Sequence, residues 1–295
     1  MLAAPVELPL AHTPGPDGFS FSYLDFHLEI LVLLVLLQAA YLLGVGPLRE
    51  RFNWAERMDR RRAALFSAGV LVLAVAFLPP LHDLSEQYLF SAHMVQHLLA
   101  VLAAAPLLLA GTPDWLLRPL LRPRPVASLA RFFTRPLAAF VVFNVVMNVW
   151  HVPAFYDAAV RYDGVHAAQH LTMLASALLL WWPVLSPMAE LPRLSYPIQM
   201  LYLFLVTVAQ KPLFAAITFS DHALYSSYVN APRLWGLSVL EDQRLGGVIM
   251  AVTSMAVFLG TLVAIFFRWF GHEESIAANE PVPRAGRPWE VEKTR

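Results

Sequence analysis

The sequence predicts an all-α, polytopic membrane bundle with seven transmembrane helices. Hydrophobic residues make up 58% of the 295-residue chain and charged residues only 14%, against about 45–50% and about 25% in soluble domains. Seven segments reach or approach the ~20 apolar residues that a crossing needs. The breaks between these segments are charged or proline-rich, and closed helical spans are what such a pattern builds in lipid.

The first span, near 24–46, is a run of Leu, Val and Ala that ends at Gly46-Pro47. The second, 63–81, stops at Pro79-Pro80, and the third, 87–111, at Gly111-Thr112-Pro113. The fourth, 136–152, lies between Pro136 and Pro153; it and the second are the shortest. The fifth covers 164–185, the sixth 196–219 and the seventh 244–267. Residues 24–270 therefore form the membrane domain. Residues 1–23 are expected as an external segment: 2–23 hold no Lys or Arg, and four prolines interrupt them, unlike a cleaved leader. Residues 271–295, with Pro281, Pro283, Gly286 and Pro288, are expected to be a disordered cytoplasmic tail.

Orientation follows from Lys and Arg in alternate loops. Loop 47–62 carries Arg49, Arg51, Arg57, Arg60, Arg61 and Arg62. Loop 112–135 carries five more, loop 186–195 one, and the tail another five, making seventeen on that face. The opposite face has Arg161, Arg233 and Arg244. The N-terminus is thus expected outside and the C-terminus in the cytoplasm. The net charge is zero, which gives no basis for a nucleic-acid partner. The absence of cysteine excludes disulfides, thiolate metal sites and cysteine nucleophiles.

With this orientation, nine of the ten histidines lie in the outer half and only His272 on the inner side. The third and fifth spans, which run in parallel, carry the same pattern near their outer ends: His93-Met94-Val95-Gln96-His97 and His166-Ala167-Ala168-Gln169-His170. Residues four apart share a helix face, ~6 Å apart along the axis, so two such faces can offer four imidazoles to one centre. Ionisable clusters inside a membrane read as functional sites. His93, His97, His166, His170 and His151 are therefore candidate metal ligands. His27, His82, Met94, Met147, Met173, Lys211 and Asp242 are accessory candidates; the methionines serve equally as packing, and His27 and His82 equally as interfacial residues. Lys211, ~12 Å from the outer end of its span at the usual helical rise, is level with the paired histidines. It is expected to face the interior, within reach of the cluster or of an outer carboxylate such as Asp83, Glu86 or Asp157. Imidazole suits copper, zinc, iron or nickel. Copper fits a His-rich, Cys-free external site, zinc is an alternative, and paired histidines could also clamp a haem.

Several stretches resemble the caa3-type cytochrome c oxidase assembly factors. They are Leu81-His82-Asp83-Leu84, Phe90 through His97, Ala105-Pro106-Leu107-Leu108, Gly111-Thr112-Pro113 and Trp150-His151-Val152-Pro153 with Tyr156. The second H-x-x-Q-H with Trp181-Trp182-Pro183, Glu241-Asp242-Gln243 and Gly246-Gly247 complete the likeness, over roughly 80–275. The resemblance implies a seven-span protein of the bacterial plasma membrane that helps mature a haem–copper oxidase through copper delivery. The oxidase subunit is then the expected partner, besides the bilayer and a second copy of the chain, and no catalytic residue is expected. Two other classes stay open on the residues alone: a His-ligated haem or metal oxidoreductase, and a copper or proton transporter.

Overall fold

The computed structural model describes residues 27–279, and all regular structure among them is helical. The expected N-terminal segment and the tail beyond 279 lie outside the described residues. Helix α1 (Leu28–Leu43) continues through a π-helical turn at Gly44–Leu48, where Gly46 leaves helical geometry ahead of Pro47. The buried Arg49 then closes the turn, donating to the carbonyls of Val45, Ala55 and Glu56. Asp59 starts α2 (Arg60–Phe77) by accepting from the backbone N–H groups of Arg61 and Arg62, two donors that the first helical turn leaves without partners. Pro79-Pro80 ends α2, and the chain bends by 41° into α3 (Leu81–Gln87).

Helix α4 (Phe90–Leu98) passes through a π-helical stretch at Leu99–Ala104 into α5 (Ala105–Gly111). After a connection of short turns, α6 (Arg124–Phe133) meets α7 (Pro136–Trp150) at 77°. Then come α8 (Pro153–Arg161), α9 (Asp163–Leu185), α10 (Tyr196–Ala209) and α11 (Lys211–Thr218). The last helix, α12, runs over Val239–Asn279. It continues nine residues into the segment expected to be disordered, because Glu273, Glu274 and two alanines are good helix formers and the first proline comes only at 281.

Five helical stretches are long and apolar enough to cross a membrane: Leu28–Arg51, Phe90–Gly111, Asp163–Leu185, Tyr196–Thr218 and Val239–Ile276. The second and fourth expected spans correspond to bent pairs, α2 with α3 and α6 with α7, which raise the number to seven if each pair is one crossing. Outward faces are strongly apolar, with Leu33, Leu71, Leu137 and Leu171 each about two-thirds exposed or more. In water such a surface would drive association, and in lipid it is solvated. The core joins α4 and α5 to α7, α9, α10 and α12 through Val101, Phe143, Leu180, Trp181, Leu203 and Phe258. A second apolar cluster holds α1 and α2 against α5.

Two features set the end of the bundle where the histidines lie. A Cβ on Gly246 would stand 2.5 Å from the Phe90 ring, so only glycine lets α12 approach the start of α4 this closely. Beside that contact, the N-cap position of α4 is Leu89, which offers no side-chain acceptor. Asp242 supplies one from α12: its carboxylate accepts from the backbone N–H of Phe90 at 2.7 Å and of Ser91 at 3.2 Å, and from the Ser91 hydroxyl at 2.5 Å. The helix dipole favours an anion at this end.

Candidate metal centre

The i,i+4 spacing sets the two rings of each pair against each other, with Nε2 atoms 2.8 Å apart in His93–His97 and 2.6 Å apart in His166–His170. The two pairs also meet. The ring centroid of His170 lies 5.2 Å from that of His97 and 5.8 Å from that of His93, and His93 lies 5.9 Å from His166. All but the partly exposed His170 are buried. One nitrogen from each of His93, His97 and His170 falls within 4.8 Å of the others, and so do a carboxylate oxygen of Glu86 and one nitrogen from each of His166 and His170. Two nitrogens on one tetrahedral ion at ~2.0–2.1 Å stand about 3.3 Å apart. Small side-chain shifts would therefore let either group close on an ion, and the donor set of imidazoles with one carboxylate suits copper or zinc.

Glu86 is the residue that sequence reasoning placed elsewhere, as one of several outer acids that could pair with Lys211. The bend after Pro80 turns α3 inward, and the Glu86 carboxylate ends 3.0 Å from His166 Nε2 and 3.5 Å from His93 Nδ1, nearly fully buried. The signal available in the sequence was an acid seven residues before the first H-x-x-Q-H, one residue outside the expected third span.

The remaining candidates fall into three groups. His82 borders the cluster, with its ring 5.9 Å from that of His166, and His27 packs edge-on against His82. Gln96, the glutamine of the first motif, contacts His82 Nδ1 at 3.0 Å and accepts from the Ser85 hydroxyl. Its counterpart Gln169 is fully buried, and neither amide atom has a partner among the described residues. His151 stands on the other side of His97, centroids 6.2 Å apart, with Nδ1 donating to the Met147 carbonyl at 2.7 Å. Met94 and Met147 are buried close by, whereas Met173 packs in the apolar core. Asp242 has both oxygens engaged by the start of α4, so it positions the helix that carries His93 and His97. Lys211 is half-buried at the break between α10 and α11, and its amine makes no ion pair or hydrogen bond with any described residue.

The loop before α12 folds over this end. Asp157 accepts from the backbone and hydroxyls of Ser226 and Ser227. That anchor sets Tyr228, whose hydroxyl donates to the Ser85 carbonyl at 2.7 Å and lies 3.0 Å from the Tyr156 hydroxyl and 3.5 Å from His93 Nδ1. Burial and the nearby Glu86 carboxylate push the Tyr228 phenol well above its ordinary pKa. It therefore stays protonated and serves as a hydrogen-bonding roof.

A family model described as cytochrome c oxidase caa3 assembly factor matches residues 39–272. Similar curated proteins include two uncharacterized mycobacterial ones, from Mycobacterium bovis and Mycobacterium tuberculosis. Each is 26% identical over 269 residues, taking in 83% of this chain and 39% of the relative. The chain thus spans about two-fifths of the length of these relatives. No solved structure matches.

Proposed function

The chain belongs to the caa3 cytochrome c oxidase assembly factor family, and from that premise we propose that it holds copper at the paired histidines and delivers it to an oxidase subunit. The family carries the assembly role; the copper cargo is our reading of the site. The observation that supports it is the convergence of four imidazoles and one buried carboxylate from α3, α4 and α9. Neutral imidazoles can exchange an ion stepwise with a partner's ligands and need no thiol. Lowering the pH protonates them and releases the metal. In this arrangement Glu86 neutralises part of the ion's charge, and Tyr228 and the Asp157-anchored loop limit access by water.

The reading places all seven crossings in a bacterial plasma membrane, with the cluster toward the outside and the arginine-rich loops in the cytoplasm. A reporter fused after residue 62 or 275 should then read as cytoplasmic, and one after 160 or 230 as external. An opposite pattern would put the cluster on the wrong side for an external copper centre.

The direct test is metal analysis of the purified full-length chain beside a His93→Ala, His97→Ala, His166→Ala, His170→Ala variant of matched thermal stability. The wild type should retain copper and the variant should not, and the variant should leave the cell's oxidase copper-poor. Normal copper in the oxidase of cells that carry only the variant would refute the delivery role. His272→Ala should be without effect.

A further inference from the structure

Beneath the paired histidines lies a narrow pocket whose wall is built by four parts of the bundle. Met94 and His97 come from α4, Met147 and His151 from α7, Gln210 from the α10–α11 break and Met250 from α12. All six are at least nine-tenths buried. The rest of the wall is aliphatic or aromatic apart from Ser254, and no acid lines it. His97 Nδ1, His151 Nε2 and Gln210 Nε2 lack hydrogen-bond partners among the described residues. Buried polar groups are nearly always paired, so the two orphaned imidazole nitrogens on one wall point to a guest; the Gln210 amide nitrogen is a donor and offers a cation no lone pair.

The hydrogen bonds around the two histidines fix what their free nitrogens offer. A backbone carbonyl only accepts, so His151 Nδ1, 2.7 Å from the Met147 carbonyl, carries the proton and Nε2 is left with a lone pair. His93 Nδ1 faces the Glu86 carboxylate and the oxygen of Tyr228, whose own proton goes to the Ser85 carbonyl. Nδ1 of His93 is then the protonated nitrogen, and its Nε2 accepts from His97 Nε2. His97 is thereby left with a lone pair at Nδ1. The pocket thus presents two imidazole lone pairs, on rings whose centroids are 6.2 Å apart, among three thioether side chains.

We propose that this pocket is a second metal site, selective for a soft monovalent cation such as cuprous copper. Thioether and neutral imidazole donors select Cu(I) over harder ions. With no carboxylate on the wall, a divalent ion would keep its full double charge in a low-dielectric surrounding. The paired-histidine centre above it, which has Glu86, is the better host for a divalent ion. The proposal deepens the copper-handling reading and shares His97 with it, yet the donor sets otherwise differ.

The test uses the full-length chain in detergent under anaerobic conditions, with Cu(I) and redox-inert Ag(I) as probes. X-ray absorption of bound Cu(I) should show sulfur as well as nitrogen neighbours. A Met94→Leu, Met147→Leu, Met250→Leu variant, which conserves side-chain volume, should lose the sulfur signal and bind Ag(I) at least tenfold more weakly. His166→Ala with His170→Ala should keep the sulfur signal while losing copper delivery, which separates this site from the function proposed above. Absence of sulfur neighbours in the wild type overturns the proposal whether or not any variant folds. Ag(I) binding unchanged in a folded methionine variant or in His151→Ala overturns it too, and leaves the pocket as a water site.

Discussion

Replacing Glu86 by Gln keeps the size and hydrogen-bonding reach of the side chain and removes only its charge. The carboxylate lies 3.0 Å from His166 Nε2, and one of its oxygens is within 4.8 Å of a nitrogen from each of His166 and His170. An ion held by those nitrogens at ~2.0–2.1 Å lies at most about 5 Å from that oxygen. At 4 Å and an effective dielectric of about 20, one unit of ion charge interacts with the carboxylate by about 4 kcal/mol. Water entry and side-chain relaxation reduce that figure. If Glu86 acts only by orienting the histidines, the loss falls to about 10–100-fold in affinity, or about 1.4–2.7 kcal/mol. The expected outcome is a ten- to thousand-fold weaker Kd for Cu(II) or Zn(II), measured by competition with a chromophoric chelator at pH 7.5. The folded fraction should be checked by thermal melting. A Kd within threefold of wild type in a folded Glu86→Gln variant would refute the view that the carboxylate belongs to the centre.

Three further outcomes follow from the same geometry. Asp242→Asn weakens the charge-assisted cap on α4 and should lower stability by about 1–3 kcal/mol, read as a reduced melting temperature in detergent. Gly246→Val pushes side-chain atoms into the Phe90 ring and should cost about 1–3 kcal/mol by overpacking, with weaker metal binding because Phe90 begins the helix of His93 and His97. Metal affinity should fall as pH drops from 7.5 to 5, since protons compete for the imidazole lone pairs; a flat chelator-competition profile over that range would argue for carboxylate or backbone ligands instead.

The helical class and the membrane character were legible from apolar segments and their breaks, because a run of ~20 apolar residues has few other fates. The H-x-x-Q-H pairs were legible for a local reason: four residues make about one helical turn, so the rings of each pair had to meet. What the sequence left open depended on contacts between distant parts of the chain. The bends at Pro79-Pro80 and before Pro136 turn two expected spans into bent pairs, and proline marks where a helix breaks without giving the angle. That first bend carries Glu86 to the histidines, from a position where it was one outer acid among many. Asp242 read as an accessory ligand until the approach of α12 to α4, permitted by Gly246, put its carboxylate on the helix start. Met250 carried no local signal at all, and it joins Met94 and Met147 only because α12, α4 and α7 surround one pocket. Periodicity along one helix determines which residues share a face, whereas the packing of helices against one another determines which faces become a site.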